Sequence, residues 1–242
     1  MLKTPMKKRL RLSLILMLVS FLSFEIFAQT TGDYRSNAAA FNWSTDASWQ
    51  RWDGASWVVP TVAQGYPGET ALSIAGTVTI QTGHTVTANV DVTTNDIGNL
   101  TLVVSGILAM NANIDIDATG TLTLDGTSQI QGSGTSRTID AAVLSIPATA
   151  TNARITNILL TISGAATVAG IFNMSSTTVT INGPTTVSGA LTLSSDTGTK
   201  TFKGTVSVPF SGSWISTAIV TSGRLVFGGE VLTSGTFTPG CN

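Results

Sequence analysis

A repeated unit in residues 161–195 most constrains what this chain can fold into. Residues 161–176 align with residues 180–195 at an offset of 19, and 8 of the 16 aligned positions are identical. Apolar and polar residues alternate within each copy, which is the pattern of a strand with one buried face. A period of about 20 residues with this alternation is typical of a solenoid, in which each copy stacks on the next.

The repeat predicts which side chains stack on one another. Each inward-facing residue should lie against the residue at the same position of the next copy. The predicted pairs are Val168 with Val187, Phe172 with Leu191, and Met174 with Leu193. Between the apolar runs lie glycines, which we expect to adopt positive φ and turn the chain. The corner position recurs at Gly164, Gly183, Gly204 and Gly229.

The N-terminal half has its own period of 22 residues. The positions that recur at this offset are Val78 and Ile80, Leu100 and Leu102, Leu122 and Leu124, Leu144 and Ile146, with Val86, Leu108 and Ile130 as a second series. The segment Gly132 to Ile155 departs from both periods and is predicted to be a looped-out coil. We therefore expect an all-β fold, a parallel β-solenoid (β-helix) with coils of about 19–22 residues, each rising about 4.8 Å.

The first 28 residues have the features of a secretory signal peptide. A basic segment at residues 7–11 precedes an apolar segment, Leu12 to Leu22, which is too short to span a membrane. Ile26-Phe27-Ala28 then offers a cleavage site. We expect Sec-type export with cleavage after Ala28, so that the mature chain begins at Gln29 and is secreted or held at the cell surface.

Composition limits the partners of the mature chain. Without residues 1–28, seven basic and twelve acidic residues remain, a net charge of −5. The absence of a basic patch argues against nucleic acid as a partner, and no later apolar stretch has the length of a membrane span. Cys241 is the only cysteine, so no intramolecular disulfide is expected. The repeats of residues 71–242 continue almost to Asn242, and we expect the chain to be truncated at this end, the front part of a longer polypeptide.

Residues 29–70 form an aromatic-rich block. Beyond it, Phe172 is the only aromatic residue before Phe202. The end of a solenoid needs a cover for its core and its unpaired strand, so we interpret the block as an N-terminal cap. An alternative is a platform for sugar rings, because aromatic faces stack on apolar ligand surfaces. The candidate carbohydrate-binding residues are Trp43, Trp49, Trp52 and Trp57.

Two further positions carry groups capable of chemistry. His84 is the only histidine, and with neither a second histidine nor a nearby cysteine we assign it a turn or surface role. Asp115 and Asp117 are predicted to face outward on one strand, where they could bind calcium or act as an acid/base pair. A solvated strand face, or an ion pair of Asp115 with Arg137, is the simpler interpretation. We predict no catalytic residue and no cofactor.

Short motifs throughout the mature chain resemble large secreted repeat proteins of Gram-negative bacteria. The motifs are Tyr34-Arg35-Ser36, Asn42-Trp43, Ser48-Trp49-Gln50, Trp52-Asp53-Gly54, Trp57, Val78-Thr79-Ile80, Gly83-His84-Thr85-Val86-Thr87 and Gly198-Thr199-Lys200-Thr201-Phe202-Lys203-Gly204. The resemblance implies an adhesin-like β-solenoid at the cell surface, exported by the type IX route through a C-terminal sorting domain. It assigns no catalytic residues.

Three functions remain open from the sequence. The first is a non-enzymatic adhesin-like or structural solenoid whose partners are surface glycans or host and cell-surface proteins. The second is a carbohydrate-binding or polysaccharide-degrading β-helix, a chemistry that needs acids and cations grouped in a groove. The third is an ice-binding solenoid, which needs two regular threonine columns. At an offset of 22 one column would be Thr79, Thr101, Thr123 and Ser145, and its partner column is interrupted.

Overall fold

The computed structural model describes residues 29–70, 76–92, 100–175, 178–194, 198–216 and 224–239, and the segment predicted to be a signal peptide lies outside them. The chain is all-β apart from one short 3-10 helix at Asp46–Ser48. Its strands form two sheets, of fifteen and nine strands, in which nearly every neighbouring pair is parallel. The fold is a parallel β-solenoid, as the repeats predict.

The strands in the first part of the chain are longer toward its middle. They are β1 (Tyr34–Ser36), β2 (Ala40–Asn42), β3 (Trp49–Trp52), β4 (Trp57–Val58), β5 (Thr77–Ile80), β6 (Thr85–Ala88), β7 (Thr101–Val104), β8 (Ile107–Met110), β9 (Asp115–Leu124), β10 (Gln129–Gly132), β11 (Thr138–Ile146) and β12 (Ala153–Thr156).

The strands in the second part are three to five residues long. They are β13 (Leu159–Ile162), β14 (Ala166–Val168), β15 (Ile171–Ser175), β16 (Thr178–Ile181), β17 (Thr185–Val187), β18 (Ala190–Leu193), β19 (Lys200–Phe202), β20 (Val206–Val208), β21 (Ser213–Ser216), β22 (Leu225–Phe227), β23 (Val231–Thr233) and β24 (Thr236–Thr238).

Strand β11 is the point where the shape of the coil changes. Its first half pairs with β13 and its second half with β14, so that one long strand continues as two short ones. A glycine corner at Gly164 separates β13 from β14. Each later coil therefore has three short strands, two in the larger sheet and one in the smaller.

The core consists of columns of apolar side chains, each stacked on the equivalent residue of the next coil. The three pairs predicted from the 19-residue repeat are confirmed, because Val168 lies opposite Val187, Phe172 opposite Leu191, and Met174 opposite Leu193. All six side chains are buried. One coil therefore buries its apolar face only against its neighbours, which couples the stability of each coil to the next.

The corner glycines stack as predicted but for a different physical reason. We expected positive φ, yet Gly164, Gly183, Gly204 and Gly229 are not among the glycines with positive φ in the described residues. Instead, the backbone of the next coil lies where a side chain would be. A Cβ on Gly183 would lie 2.5 Å from the carbonyl carbon of Gly164, and one on Gly229 would lie 2.6 Å from that of Gly204.

The 22-residue period holds in part. Val86, Leu108 and Ile130 stack as predicted, and Leu122 lies opposite Leu144. The prediction is wrong for the first coil of the larger sheet. Val78 lies opposite Leu102, at an offset of 24, and Leu102 opposite Leu122, at an offset of 20. Because a long coil is followed by a short one, the mean period survives and hides the shift.

The segment Gly132 to Ile155 is not looped out. It contains β11 and β12, which pair with neighbouring coils in both sheets. Its coil is longer, since Gln129 lies opposite Arg154 at an offset of 25. The extra residues extend the turn around Pro147 and leave the strand register intact, so the coils span 19 to 25 residues rather than 19 to 22.

The aromatic-rich block both extends the solenoid and covers its first end. β1 pairs in parallel with β5, and β2 pairs in parallel with β6, so these strands form a further turn. β3 and β4 then fold back antiparallel on β1. The carboxylate of Asp33 fastens this block to the next coil, accepting hydrogen bonds from the backbone N–H of Thr77 (2.9 Å) and of Thr30 (2.7 Å).

Candidate functional site

Two of the four candidate tryptophans lie inside the N-terminal block. Trp43 and Trp49 are fully buried, with their ring centroids 5.0 Å apart. Each indole N–H is satisfied internally, that of Trp43 by the Pro67 carbonyl (2.9 Å) and that of Trp49 by the Trp43 carbonyl (2.7 Å). Their faces are therefore out of reach of a sugar, and their role is to form the core beneath the solenoid end.

The other two tryptophans lie closer to solvent. Trp52 and Trp57 are half-buried and meet edge to face, with their ring centroids 5.5 Å apart. The guanidinium of Arg35 lies 4.4 Å from the centroid of Trp57, and its Nε donates to the Gln50 side chain (2.9 Å). Partial burial lowers the pKa of Arg35. These residues, which we call the Trp57 patch, combine aromatic surface with a cation and an amide.

His84 belongs to a polar cluster that fixes a turn. Its Nδ1 lies 2.8 Å from the hydroxyl of Ser36, and that hydroxyl also accepts the backbone N–H of Gln81 (2.9 Å). A serine–histidine contact is the first requirement of a nucleophile and its base. Ser36 is fully buried at the end of β1, however, so the arrangement ties the first strand to the β5–β6 turn. The sequence gave no sign of Ser36, which has no motif around it.

The acidic candidates gain a third member in the structure. Asp117 lies opposite Asp140 of the next coil, and Asp115, Asp117 and Asp140 each offer an oxygen within 4.8 Å of the others. Thr138 donates its hydroxyl to Asp115, and the backbone N–H of Asp115 donates to Asp91 (2.9 Å). Three carboxylates are ligands of the kind that Ca²⁺ takes, but they fall short of the about six to eight oxygens it needs.

The ion pair expected between Asp115 and Arg137 does not form, because the register between β9 and β11 is 23 rather than 22 and places Thr138 beside Asp115. Arg137 is buried and binds Asn157 instead. Its Nε donates to the Asn157 backbone carbonyl (2.8 Å) and its Nη2 to the side-chain oxygen (2.6 Å). Asn157 has a φ of 59°, so the arginine stabilises a left-handed turn between coils.

The most regular outward feature is a column on the larger sheet. It runs through Thr79, Val103, Thr123, Ser145, Thr167, Thr186 and Ser207, and we call it the hydroxyl ladder. Neighbouring members are one strand spacing apart, about 4.8 Å. The column predicted to include Thr101 is wrong, since Val103 takes that place. The adjacent column pairs Thr77 with Thr101 and Thr121 with Val143, so each column contains a valine.

Lys200 is a core residue that the sequence concealed. We counted it among scattered basic residues, but it is almost completely buried at an inward position of β19, opposite Val179 and Leu225. Its Nζ donates to the Gly198 carbonyl at 2.9 Å. A long apolar stem that fills a core position explains how a lysine is accommodated there.

Two ionisable groups of the N-terminal block have shifted pKa values. Burial raises the pKa of Tyr34 to about 12, and its hydroxyl donates to the Gly65 carbonyl at 3.1 Å. At the exposed turn after β3, backbone N–H groups of Ser56 and Ala55 donate to Asp53 and lower its pKa. Both interactions hold loops in place, and neither group faces a cleft built from the residues described above.

Comparison of the chain with protein-family models, with curated proteins and with solved structures finds no match. The described part of the chain contains no helix of the length and apolarity needed to cross a membrane.

Proposed function

We propose that this chain is a secreted or cell-surface solenoid that acts without catalysis, as an adhesin-like or structural element. The hydroxyl ladder carries the proposal. It repeats a small, uncharged, hydrogen-bonding residue along successive coils of a rigid scaffold. A surface of this kind suits many weak contacts with an extended partner, since contacts repeated on one scaffold add in avidity.

The N-terminal features support the setting of this proposal. A basic segment, a short apolar segment and the Ile26-Phe27-Ala28 sequence favour export. The resemblance to secreted repeat proteins of Gram-negative bacteria supports display at the cell surface, with type IX secretion as the proposed route. Surface glycans and cell-surface proteins are the proposed partners.

Retention under flow tests the proposed adhesion. Beads coated with the protein are passed over immobilised polysaccharides, mucin and cultured cells, with albumin-coated beads as the baseline. We expect retention above the baseline on at least one surface. A triple variant, Thr123→Glu, Thr167→Glu and Thr186→Glu, should lose it, because these outward positions bear on no core contact. Retention equal to that of albumin on every surface, or a triple variant that binds like the wild type, contradicts the proposal.

The non-catalytic part of the proposal has its own test. Incubation of the protein with the same polysaccharides should release no reducing ends and create no unsaturated uronate absorbance. Either signal, if it survives repeated purification, would place the chain among polysaccharide-degrading β-helices.

Carbohydrate binding at the Trp57 patch is the second candidate. The observation that favours it is the pair of half-buried indoles beside Arg35, which offers stacking and hydrogen-bonding groups together. Trp57→Ala should then abolish retention on polysaccharides, whereas Val62→Ala, at a site 92% exposed in the same block, should leave it unchanged. Equal retention for both variants rules out the patch.

A further inference from the structure

The C-terminal end of the solenoid is open. Its last described coil consists of β22, β23 and β24, and each of these strands pairs with the preceding coil and with no other described strand. Phe202 and Val206 are buried one coil earlier, but Phe227 and Val231, which stack on them, are only half-buried. Apolar side chains and strand edges are therefore exposed together.

The backbone of this coil also has hydrogen-bonding groups directed outward. Lys200 N–H donates to the Arg224 carbonyl (2.7 Å), and Gly228 N–H donates to the Phe202 carbonyl (2.8 Å). In a parallel ladder, alternate residues turn both main-chain groups toward the same neighbour. The same reasoning applies to β23, from the bonds Val206 to Glu230 and Ser234 to Val208, and to β24. The residues whose main-chain groups point at the open end are Leu225, Phe227, Val231, Thr233 and Phe237.

The opposite end of the solenoid does not offer a matching surface. There β3 and β4 run antiparallel to β1, and the Trp43–Trp49 pair covers the core. A head-to-tail stack of two copies would set this closed end against the open one. Two open ends, in contrast, present the same cross-section, the same apolar columns and the same strand lengths.

We propose that the C-terminal end is a dimer interface at which β22, β23 and β24 of two copies pair edge to edge about a two-fold axis. The rotation reverses the direction in which the chain runs around the coil, so the paired strands are antiparallel. An axis through one strand places that strand against its own copy and exchanges the other two. All three strands have three residues, so each meets a partner of equal length.

A second copy is the occupant because the end continues the coil–coil interface found throughout the fold. Its partner must offer three short unpaired edges around an apolar core of the same cross-section. The chain's own end has these features, and an isologous contact of this kind closes after two copies. Unpaired strand edges of folded proteins are otherwise sites of uncontrolled association.

A proline at an outward-directed N–H tests the interface. The full chain is studied by analytical ultracentrifugation across a dilution series, in reducing buffer so that Cys241 cannot cross-link two copies. We expect twice the chain mass at high concentration. Thr233→Pro removes a donor of the open edge without removing a bond to β20, and should weaken dimerisation at least about tenfold. Thr233→Val keeps the N–H and should dimerise like the wild type.

Hydrogen exchange of the wild-type protein gives a readout that does not depend on a variant. The amides of Leu225, Phe227, Val231, Thr233 and Phe237 should exchange more slowly in the concentrated sample than in the diluted one. Circular dichroism establishes that Thr233→Pro is folded. A chain that is monomeric at every concentration, a folded Thr233→Pro that dimerises like Thr233→Val, or exchange independent of concentration each overturns the proposal.

Discussion

Replacing Phe172 by alanine is the sharpest test of the stacked core. Phe172 lies in the column of Ala153, Leu191 and Trp214, directly between Ala153 and Leu191, and is fully buried. Burial of an aromatic side chain removes roughly 150–250 Å² from water. Because the neighbour on one side is already an alanine, Phe172→Ala would place two alanines together and leave a cavity that cannot be filled from that side.

The expected cost of Phe172→Ala is about 3–5 kcal/mol of unfolding free energy, near the upper end of this range because the cavity is so poorly filled. Thr167→Ala is the matched control. Thr167 is exposed on the outer side of β14 in an adjacent strand of the same coil, and its replacement should change stability by less than about 0.5 kcal/mol.

Denaturation in guanidinium chloride, followed by far-ultraviolet circular dichroism, measures both variants. The slope of the transition should match that of the wild type, so that the midpoint reports stability alone. Trp214 fluorescence follows the coil next to the substitution on the side of Leu191. Equal costs for Phe172→Ala and Thr167→Ala would refute the assignment of inward and outward positions from which the core is built.

Four further outcomes follow from local contacts. Gly189→Ala should destabilise the protein far more than Gly83→Ala in thermal unfolding, because a Cβ at Gly189 would overlap the backbone of the preceding coil while one at Gly83 would meet nothing within 4 Å. Ser36→Ala should cost about 1–3 kcal/mol in denaturant, since it leaves a backbone donor without its acceptor. The contribution of Tyr34 to stability should be present below pH 10 and lost as the pH rises toward about 12, because burial raises its pKa only in the folded state; Tyr34→Phe should remove that dependence from pH-dependent unfolding curves. In EDTA, Asp140→Asn should raise the unfolding free energy by about 0.2–1 kcal/mol, since it removes a like charge directly across the strands.

Each of these outcomes can fail in a distinct way. Similar losses for the two glycine variants would mean that the coils separate easily at their corners. A fully stable Ser36→Ala would show that the turn does not depend on that hydroxyl. An alkaline transition unchanged by Tyr34→Phe would assign it to other groups. A less stable Asp140→Asn in EDTA would mean that the carboxylate makes favourable contacts that outweigh the repulsion.

The sequence predicts the core best where coils have the same length. Residues 161–195 repeat without insertion, so the offset of 19 assigns Val168, Phe172 and Met174 to their partners correctly. In the N-terminal half, offsets of 24 and 20 average to the apparent period of 22. Periodicity reports the mean length of a coil, and a side chain's partner depends on each individual length.

The candidate sites were less predictable, because burial depends on contacts distant in the sequence. Four nearby tryptophans look alike in the sequence, yet the packing of β3 against β1 buries Trp49 while Trp57 lies at the edge. Asp140 joins Asp115 and Asp117 only through a register of 23, which the sequence does not show. Lys200 occupies a core column because its position, rather than its charge, follows the alternation of β19.

The glycine corners have a mechanical consequence. At Gly183 and Gly204 one coil rests on the next through backbone alone, with no side chain to interlock them. When the ends of the solenoid are pulled apart along its axis, the coil interfaces carry the load in series, and the weakest interface fails first. Each failure should release one coil, so a single-molecule extension trace should advance in steps of roughly 60–90 Å, the contour length of 19 to 25 residues.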